Sequence, residues 1–362
     1  MTDENWQAQL LRSMDPAMTP ADRTDSPAGP ASTAAGPATG PVPAPPPSVF
    51  HAGTAIDTDE QTATLHRNAG VHGDPLVRRW IGTLRTALGR QATHEIEELA
   101  GLAERANLPI TTGRRITVAG VRGGSGKSTV SALLTTTLAG VRRDPVLAVD
   151  ADPDAGSLPL RLGPLGVGVR TASDNGIAQV SAFDQIARHL ARTVTGVWLW
   201  RRALSAALGR QDEAHAALLL RDRVRFLGRY FAVTVADLGA GLHGAANRAL
   251  ITDSHAVVLT GAATLDGVLG ADAALRRLGE DFGDGLLART VLVLSTTVPG
   301  PLGVDLREAA DRLRAYGAAV VVLPYDRHLA LGAAIDQRRI GTATRTAALR
   351  VAAETMDRAI RG

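Results

Sequence analysis

Of the 39 lysines and arginines in this 362-residue chain, one is a lysine. That residue, Lys127, lies within Arg122-Gly123-Gly124-Ser125-Gly126-Lys127-Ser128-Thr129. A compact ammonium on a flexible stem and a planar guanidinium are not interchangeable where a cation must enter a tight cradle. Glycines at this spacing allow a loop whose backbone N–H groups gather around phosphate oxygens. The lysine reaches the β- and γ-phosphates, and the hydroxyl that follows it can ligate magnesium. Residues Gly123 to Thr129 are therefore candidate nucleotide contacts, and Ser128 is a candidate metal ligand. A codon preference for arginine accounts for the missing lysines but not for the place of the one that remains.

Two acidic segments carry the rest of the chemistry. In Asp150-Ala151-Asp152-Pro153-Asp154-Ala155-Gly156 two carboxylates stand one residue apart after an apolar run. Such a pair is costly to bury unless a metal or a water network satisfies it. The alternative is that these acids merely cap the next helix. In Asp237-Leu238-Gly239-Ala240-Gly241 an apolar run closes on an aspartate followed by glycines. That pattern puts a carboxylate on a magnesium shell, in a loop free to move when the γ-phosphate leaves. Asp237 is thus a candidate metal-side group, and Asp150 and Asp152 together read as groups positioning the attacking water and the magnesium shell.

The elements that must hold these residues alternate between strand and helix. Apolar runs of strand length occupy 115–120, 145–150, 231–236, 255–259, 291–295 and 318–323, with a shorter one at 197–199. Helical patterns occupy 127–139, 214–227, 264–278, 305–315 and 342–359. Repeated β-α order predicts a three-layer, doubly wound α/β fold with a mostly parallel sheet. Ligands in such sheets bind outside the carboxyl ends of the strands. Residues 76–112 read as a helical lead-in, a hairpin with apolar positions at Leu76, Trp80, Leu84, Leu88, Ile96, Leu99 and Leu102.

Ten of the 19 prolines fall in the first 50 residues. Residues 1–75 carry nine acids against three arginines, a net of −6, which leaves about +9 on the remainder of a chain of formal charge +3. This composition cannot bury enough apolar surface to offset chain entropy, so 1–75 reads as a disordered, partly polyproline II tail. The domains expected are this tail, the lead-in, and a nucleotide-binding domain over 113–362. There is no cysteine, so no disulfide framework and no thiolate chemistry. No signal-like or membrane-spanning apolar run is visible. The nine histidines show no metal-ligand spacing. Trp198 and Trp200 alternate in an apolar run and read as packing. The arginines of the final helix leave open a membrane-lying face, with packing on the core favoured for want of bulky aromatics.

The three chemical segments resemble those of the MinD/ParA deviant Walker ATPases, P-loop NTPases of the SIMIBI class, over about 115–340. That family has a lysine before the paired glycines, where this chain has Arg122. The resemblance implies an ATP-dependent homodimer with ATP and Mg²⁺ at the interface. Asp152 would orient the hydrolytic water, Asp150 would stand on the magnesium side, and Arg122 would reach the other subunit's phosphates. Leu323-Pro324-Tyr325-Asp326-Arg327-His328 is similar to a segment of the MinD-like ATPases associated with actinobacterial ESX (type VII) secretion, which likewise carry Pro-rich amino-terminal tails. In the wider family the loop after this last strand packs on adenine, making Pro324 a candidate base contact; the family's adenine-reading asparagine is replaced here by Ser295-Thr296-Thr297.

Taken together, the expected activity is slow ATP hydrolysis by a dimerisation switch in the cytoplasm, peripheral to the inner face of the membrane through a secretion partner bound by the Pro-rich tail. Two alternatives stand beside it. One is a ParA-type partition ATPase that binds DNA non-specifically, and the other is a nucleotide-binding scaffold without turnover.

Overall fold

A computed structural model describes residues 90–153, 156–164, 182–201, 213–300 and 303–361. The expected tail 1–75 and most of the first half of the lead-in lie outside the described residues. Among its described residues the lead-in holds one long helix, α1 (Arg90–Ala106). Eight strands follow among the described residues: β1 (Arg114–Gly120), β2 (Val146–Asp150), β3 (Ala191–Arg192), β4 (Trp198–Arg201), β5 (Val233–Asp237), β6 (Ala256–Ala262), β7 (Thr290–Ser295) and β8 (Ala319–Leu323). They form one sheet in the order β3-β4-β2-β5-β1-β6-β7-β8. All neighbours are parallel except β3 and β4. The central strands are Val- and Leu-rich and buried along their whole length, as parallel strands covered on both faces must be.

Helix α2 (Lys127–Val141) runs directly from the glycine loop. Its N-cap, Gly126, has φ 85°, a left-handed conformation natural to glycine, and offers no side-chain cap. The N–H groups of the first turn are therefore left for a ligand. In chain order there follow α3 (Leu158–Leu162), α4 (Phe183–Ala187), α5 (Glu213–Leu227), α6 (Ala245–Thr252), α7 (Leu265–Phe282), α8 (Asp284–Leu287), α9 (Leu306–Arg314), α10 (Arg327–Ala330) and α11 (Thr342–Arg361). Helices α2 and α11 pack on one face of the sheet, with α1 laid over α11, while α7 and α9 pack beside β6–β8.

The packing of α11 settles its role. Ala348, Leu349, Ala352, Ala353 and Met356 are buried in the core. Arg105 of α1 binds Glu354 at 2.7 Å and Asp357 at 2.7 Å. The Arg142 guanidinium, 1% exposed, donates to the carbonyls of Ala106 at 3.1 Å and Leu108 at 3.0 Å and so finishes the end of α1. The final helix thus belongs to the core, and no helix among the described residues is long and apolar enough to cross a membrane.

At the far edge the tryptophans pack, as their pattern suggests. Trp200 is buried. Trp198 meets Phe183 edge-on at 5.6 Å and lies under Arg192, 5.1 Å from the ring centre. The two-residue antiparallel β3 and the short helix α6 have no counterpart in the sequence pattern; both are too short to show a period.

Candidate functional site

Strands β1, β2, β5, β6 and β7 end on one edge, and their last residues carry the chemistry. Register pairs Asp150 with Asp237 across β2 and β5, Val118 with Asp237 across β1 and β5, and Gly120 with Thr260 across β1 and β6. Gly120 admits no side chain: a Cβ there would lie 2.7 Å from Lys127 Cγ and 2.8 Å from Thr260 Oγ1. The loop folds back over it. Ser125 Oγ pairs with Thr260 Oγ1 at 2.9 Å, and Thr260 donates in turn to the Ala119 carbonyl at 3.2 Å. Lys127 is largely buried, and Ser128 and Thr129 are half-buried at the head of α2.

Asp237 is wholly buried. Ser131, one turn beyond Ser128 on the same helix face, donates to its Oδ1 at 2.8 Å. Burial pushes the Asp237 carboxyl up to about 7, against hydrogen bonds from Ser128 and Ser131; the Asp150 charge raises it and Lys127 lowers it. Burial likewise pushes Asp150 up to about 6, opposed by the Asp152 backbone N–H and by Arg201. Asp237 Oδ2 and Asp150 Oδ1 are buried without a hydrogen-bond partner among the described residues.

Those two oxygens test whether a magnesium ion fits. Among the described residues no group of three or more His, Asp or Glu forms an all-protein metal cage. Mg²⁺ seldom uses one. It keeps several waters and takes one or two carboxylates together with substrate phosphates. Asp150, Asp237 and the Ser128 hydroxyl beside a phosphate loop match that need. A cation there would meet the two unpartnered oxygens and relieve the burial of charge.

Asp152 is half-buried. The loop after β5 is pressed against it: a Cβ on Gly239 would lie 3.0 Å from Pro153 Cδ and 3.4 Å from Asp152 Oδ1. The structure therefore brings both acidic segments together at the carboxyl ends of β2 and β5. Arg122 projects outward and forms an ion pair with Asp266 in the first turn of α7, their side chains 64% and 73% exposed.

At the next strand ends, Ser295 Oγ is buried without a hydrogen-bond partner among the described residues and faces Gly126, where a Cβ would lie 3.4 Å away. Thr296 N donates to the Leu323 carbonyl at 2.9 Å, which places half-buried Pro324 on the same edge. Asp326 fixes the following loop by accepting from His328 N at 2.8 Å and Gly341 N at 2.8 Å, and His328 Nε2 accepts from Asp336 N at 2.8 Å.

Sequence reasoning missed Ser131, Thr260, Asn247 and Asp266. Only Ser131 left a readable signal, its three-residue spacing from Ser128. Thr260 and Asp266 act from distant segments, and Asn247 acts from the short helix just after the Asp237 loop, which the pattern did not mark.

Residues 116–334 match the family model described as the CobQ/CobB/MinD/ParA nucleotide binding domain, a span that includes the loop, both acidic segments and Pro324. The chain belongs to the CobQ/CobB/MinD/ParA family. The MinD cell-division ATPase of Pyrococcus furiosus superposes with a TM-score of 0.52 at 22% identity, covering 67% of this chain and 98% of that one. That likeness is one of fold. Among curated relatives, the ESX-1 secretion-associated protein EspI of Mycobacterium tuberculosis, strains CDC 1551 and H37Rv, is 30% identical over 267 residues, 72% of this chain. The chain spans 38% of the length of those relatives.

Proposed function

We propose that this member of the CobQ/CobB/MinD/ParA family binds ATP with Mg²⁺ and hydrolyses it slowly as a dimerisation switch, in support of type VII (ESX) secretion. The observation that carries the chemistry is the pair of buried, unpartnered carboxylate oxygens on Asp150 and Asp237 beside Lys127 and Ser128. The observation that carries the setting is the likeness to EspI.

In this reading Lys127 holds the β- and γ-phosphates, and the N–H groups from Gly123 to Thr129 wrap their oxygens. Ser128, Asp150 and Asp237 hold the magnesium, which would supply charge neutralisation on the phosphates. Asp152 orients water toward the γ-phosphate, held near the loop by Gly239. Arg122 leaves Asp266 and reaches the phosphates of a second copy. Pro324 and Ser295 stand on the base side. The catalytic domain is taken as 113–362 after the 76–112 lead-in, with residues 1–75 the segment offered to a partner of the secretion apparatus. The working place is the cytoplasmic face of the membrane, reached through that partner.

One experiment tests the core of this proposal. ATP affinity, phosphate release and light scattering are followed over a protein-concentration series for the wild type, Asp152→Ala and Arg122→Ala. Turnover per molecule should rise with concentration in the wild type. Asp152→Ala should keep ATP, lose hydrolysis and accumulate as a dimer. Arg122→Ala should lower turnover and dimerisation with monomer affinity within a few-fold. A wild type that binds ATP and releases no phosphate at any concentration would remove the switch.

A further inference from the structure

We infer that Asn247 is a positioning residue for hydrolysis, acting as an amide clamp on the loop that backs Asp152. The inference rests on the hydrolytic reading above. Asn247 lies in the first turn of α6, buried at 6% exposure, and no sequence motif points to it. Its Nδ2 donates to the Gly241 carbonyl at 2.8 Å and reaches the Gly239 carbonyl at 3.4 Å. Two carbonyl oxygens face the side chain, so the nitrogen of the amide must be the atom on that side.

The loop it grips is already tied along its N–H groups. Leu238 N donates to the Val118 carbonyl at 3.0 Å and Gly241 N to the Gly120 carbonyl at 3.0 Å, while Ala151 N donates to the Asp237 carbonyl at 3.0 Å. Those bonds fix the loop to β1, which launches the phosphate loop, and to β2, which carries the paired acids. They leave the Gly239 and Gly241 carbonyls to be held from the other side, where Asn247 stands. Glycine loops are conformationally permissive, so a clamp of this kind determines where Gly239 sits. Gly239 in turn lies close to the Asp152-Pro153 segment: a Cβ there would come within 3.0 Å of Pro153 Cδ and 3.4 Å of Asp152 Oδ1. Asn247 itself bonds neither Lys127 nor the phosphate loop; it acts on the Gly239–Gly241 segment, which lies beside Asp152 and is tied to Gly120 through a backbone bond. Its loss should therefore change the hydrolytic step and spare the binding of ATP.

Asn247→Asp is the discriminating variant, because it preserves shape while replacing the donor by an acceptor that faces two carbonyls. ATP affinity by calorimetry, single-turnover hydrolysis, and amide hydrogen exchange of residues 238–241 are measured on the full chain. The expected result is affinity within about threefold of wild type, hydrolysis lowered about tenfold, the scale of one lost buried hydrogen bond, and faster exchange confined to 238–241. Wild-type hydrolysis with wild-type exchange would overturn the clamp, as would affinity that falls as far as the rate. Should the aspartate variant not fold, Asn247→Ala is read by the same three measurements. If the wild type itself proves unable to hydrolyse ATP, the function proposed above fails; the clamp is then judged by exchange alone, with unchanged protection in the variant overturning it.

Discussion

The two edges of the sheet are built from similar residues and finished in opposite ways. At the amino-terminal edge the acid and the histidine between β1 and β6 are answered by charged or backbone groups, and Arg114 Nε is a group there buried without a hydrogen-bond partner among the described residues. Asp253 accepts from Arg225 Nε at 3.1 Å and sits 2.8 Å from Arg115 Nε in an ion pair. His255 Nδ1 accepts from Arg115 N at 3.0 Å, and Arg289 donates to the Ser254 carbonyl at 2.9 Å. At the carboxyl edge, Asp150 Oδ1, Asp237 Oδ2 and Ser295 Oγ are buried without such answers among the described residues. Buried polar groups in folded proteins are normally paired, so a concentration of unpaired ones marks where a ligand completes the structure. One edge is largely closed by the chain itself, and in the function proposed above phosphate and metal would complete the other.

The largest expected effect comes from removing the cation of the open edge. Lys127→Ala should abolish measurable ATP binding in calorimetry while circular dichroism stays that of the wild type. Retained affinity would mean that the open edge is not a phosphate site.

The next effect concerns the cost of the open edge. Burial holds Asp237 at about 7 and Asp150 at about 6, above the 3.8 of a free aspartate. Between pH 4 and 7 the folded chain therefore keeps protons that the unfolded chain has released. These groups make the nucleotide-free protein less stable as pH rises through that window. His255 acts in the other direction. Burial, with Arg115 and Arg114 beside it, holds its imidazole down to about 4 from 6.5, so its neutral form favours folding as pH rises. A comparison of the wild type with Asp237→Asn separates the two contributions. Without nucleotide, the asparagine variant should melt at least about 2 °C higher at pH 7.5, with the excess gone near pH 4. It should also lose any strengthening of ATP binding by magnesium. Equal melting curves across the pH range would show that the buried carboxylates carry no such strain.

The smallest effect belongs to the closed edge. Asp253→Ala leaves Arg115 and Arg225 without their carboxylate. Because those arginines are partly solvated, the loss in urea denaturation should be about 1–2 kcal/mol. ATP affinity should not change. A fall in affinity would show that the two edges are coupled through β1 and β6.

What the sequence revealed of all this was local. The glycine loop, the lone lysine and the apolar runs closing on Asp150 and Asp237 are contiguous signals, each with its mechanism in a few residues, and the parallel sheet follows from their alternation with helices. The Asp150–Asp237 adjacency was legible only in part. Each acid marks a strand end, but their direct pairing depends on β2 lying beside β5, which no single segment encodes. Thr260 and Asp266 were silent because each meets the site across a long loop closure, whereas Asn247 lies only six to eight residues from the carbonyls it binds, in a helix that no sequence pattern marked. The expected trans role of Arg122 also could not foretell its pairing with Asp266, 144 positions away. Arg142, which no motif singles out, is nearly inaccessible and bound to the end of α1.

Gly120 carries a consequence for heredity. It lies before the phosphate loop, touches no ligand in the proposed scheme, and would escape any list of binding residues. Yet a Cβ there would collide with the stem of Lys127 and with Thr260. Any nucleotide change that alters a glycine codon's meaning adds a side chain or ends the protein. A substitution at this position should therefore push Lys127 and the loop aside, and a screen for inactive alleles is expected to return codon 120 beside codon 127.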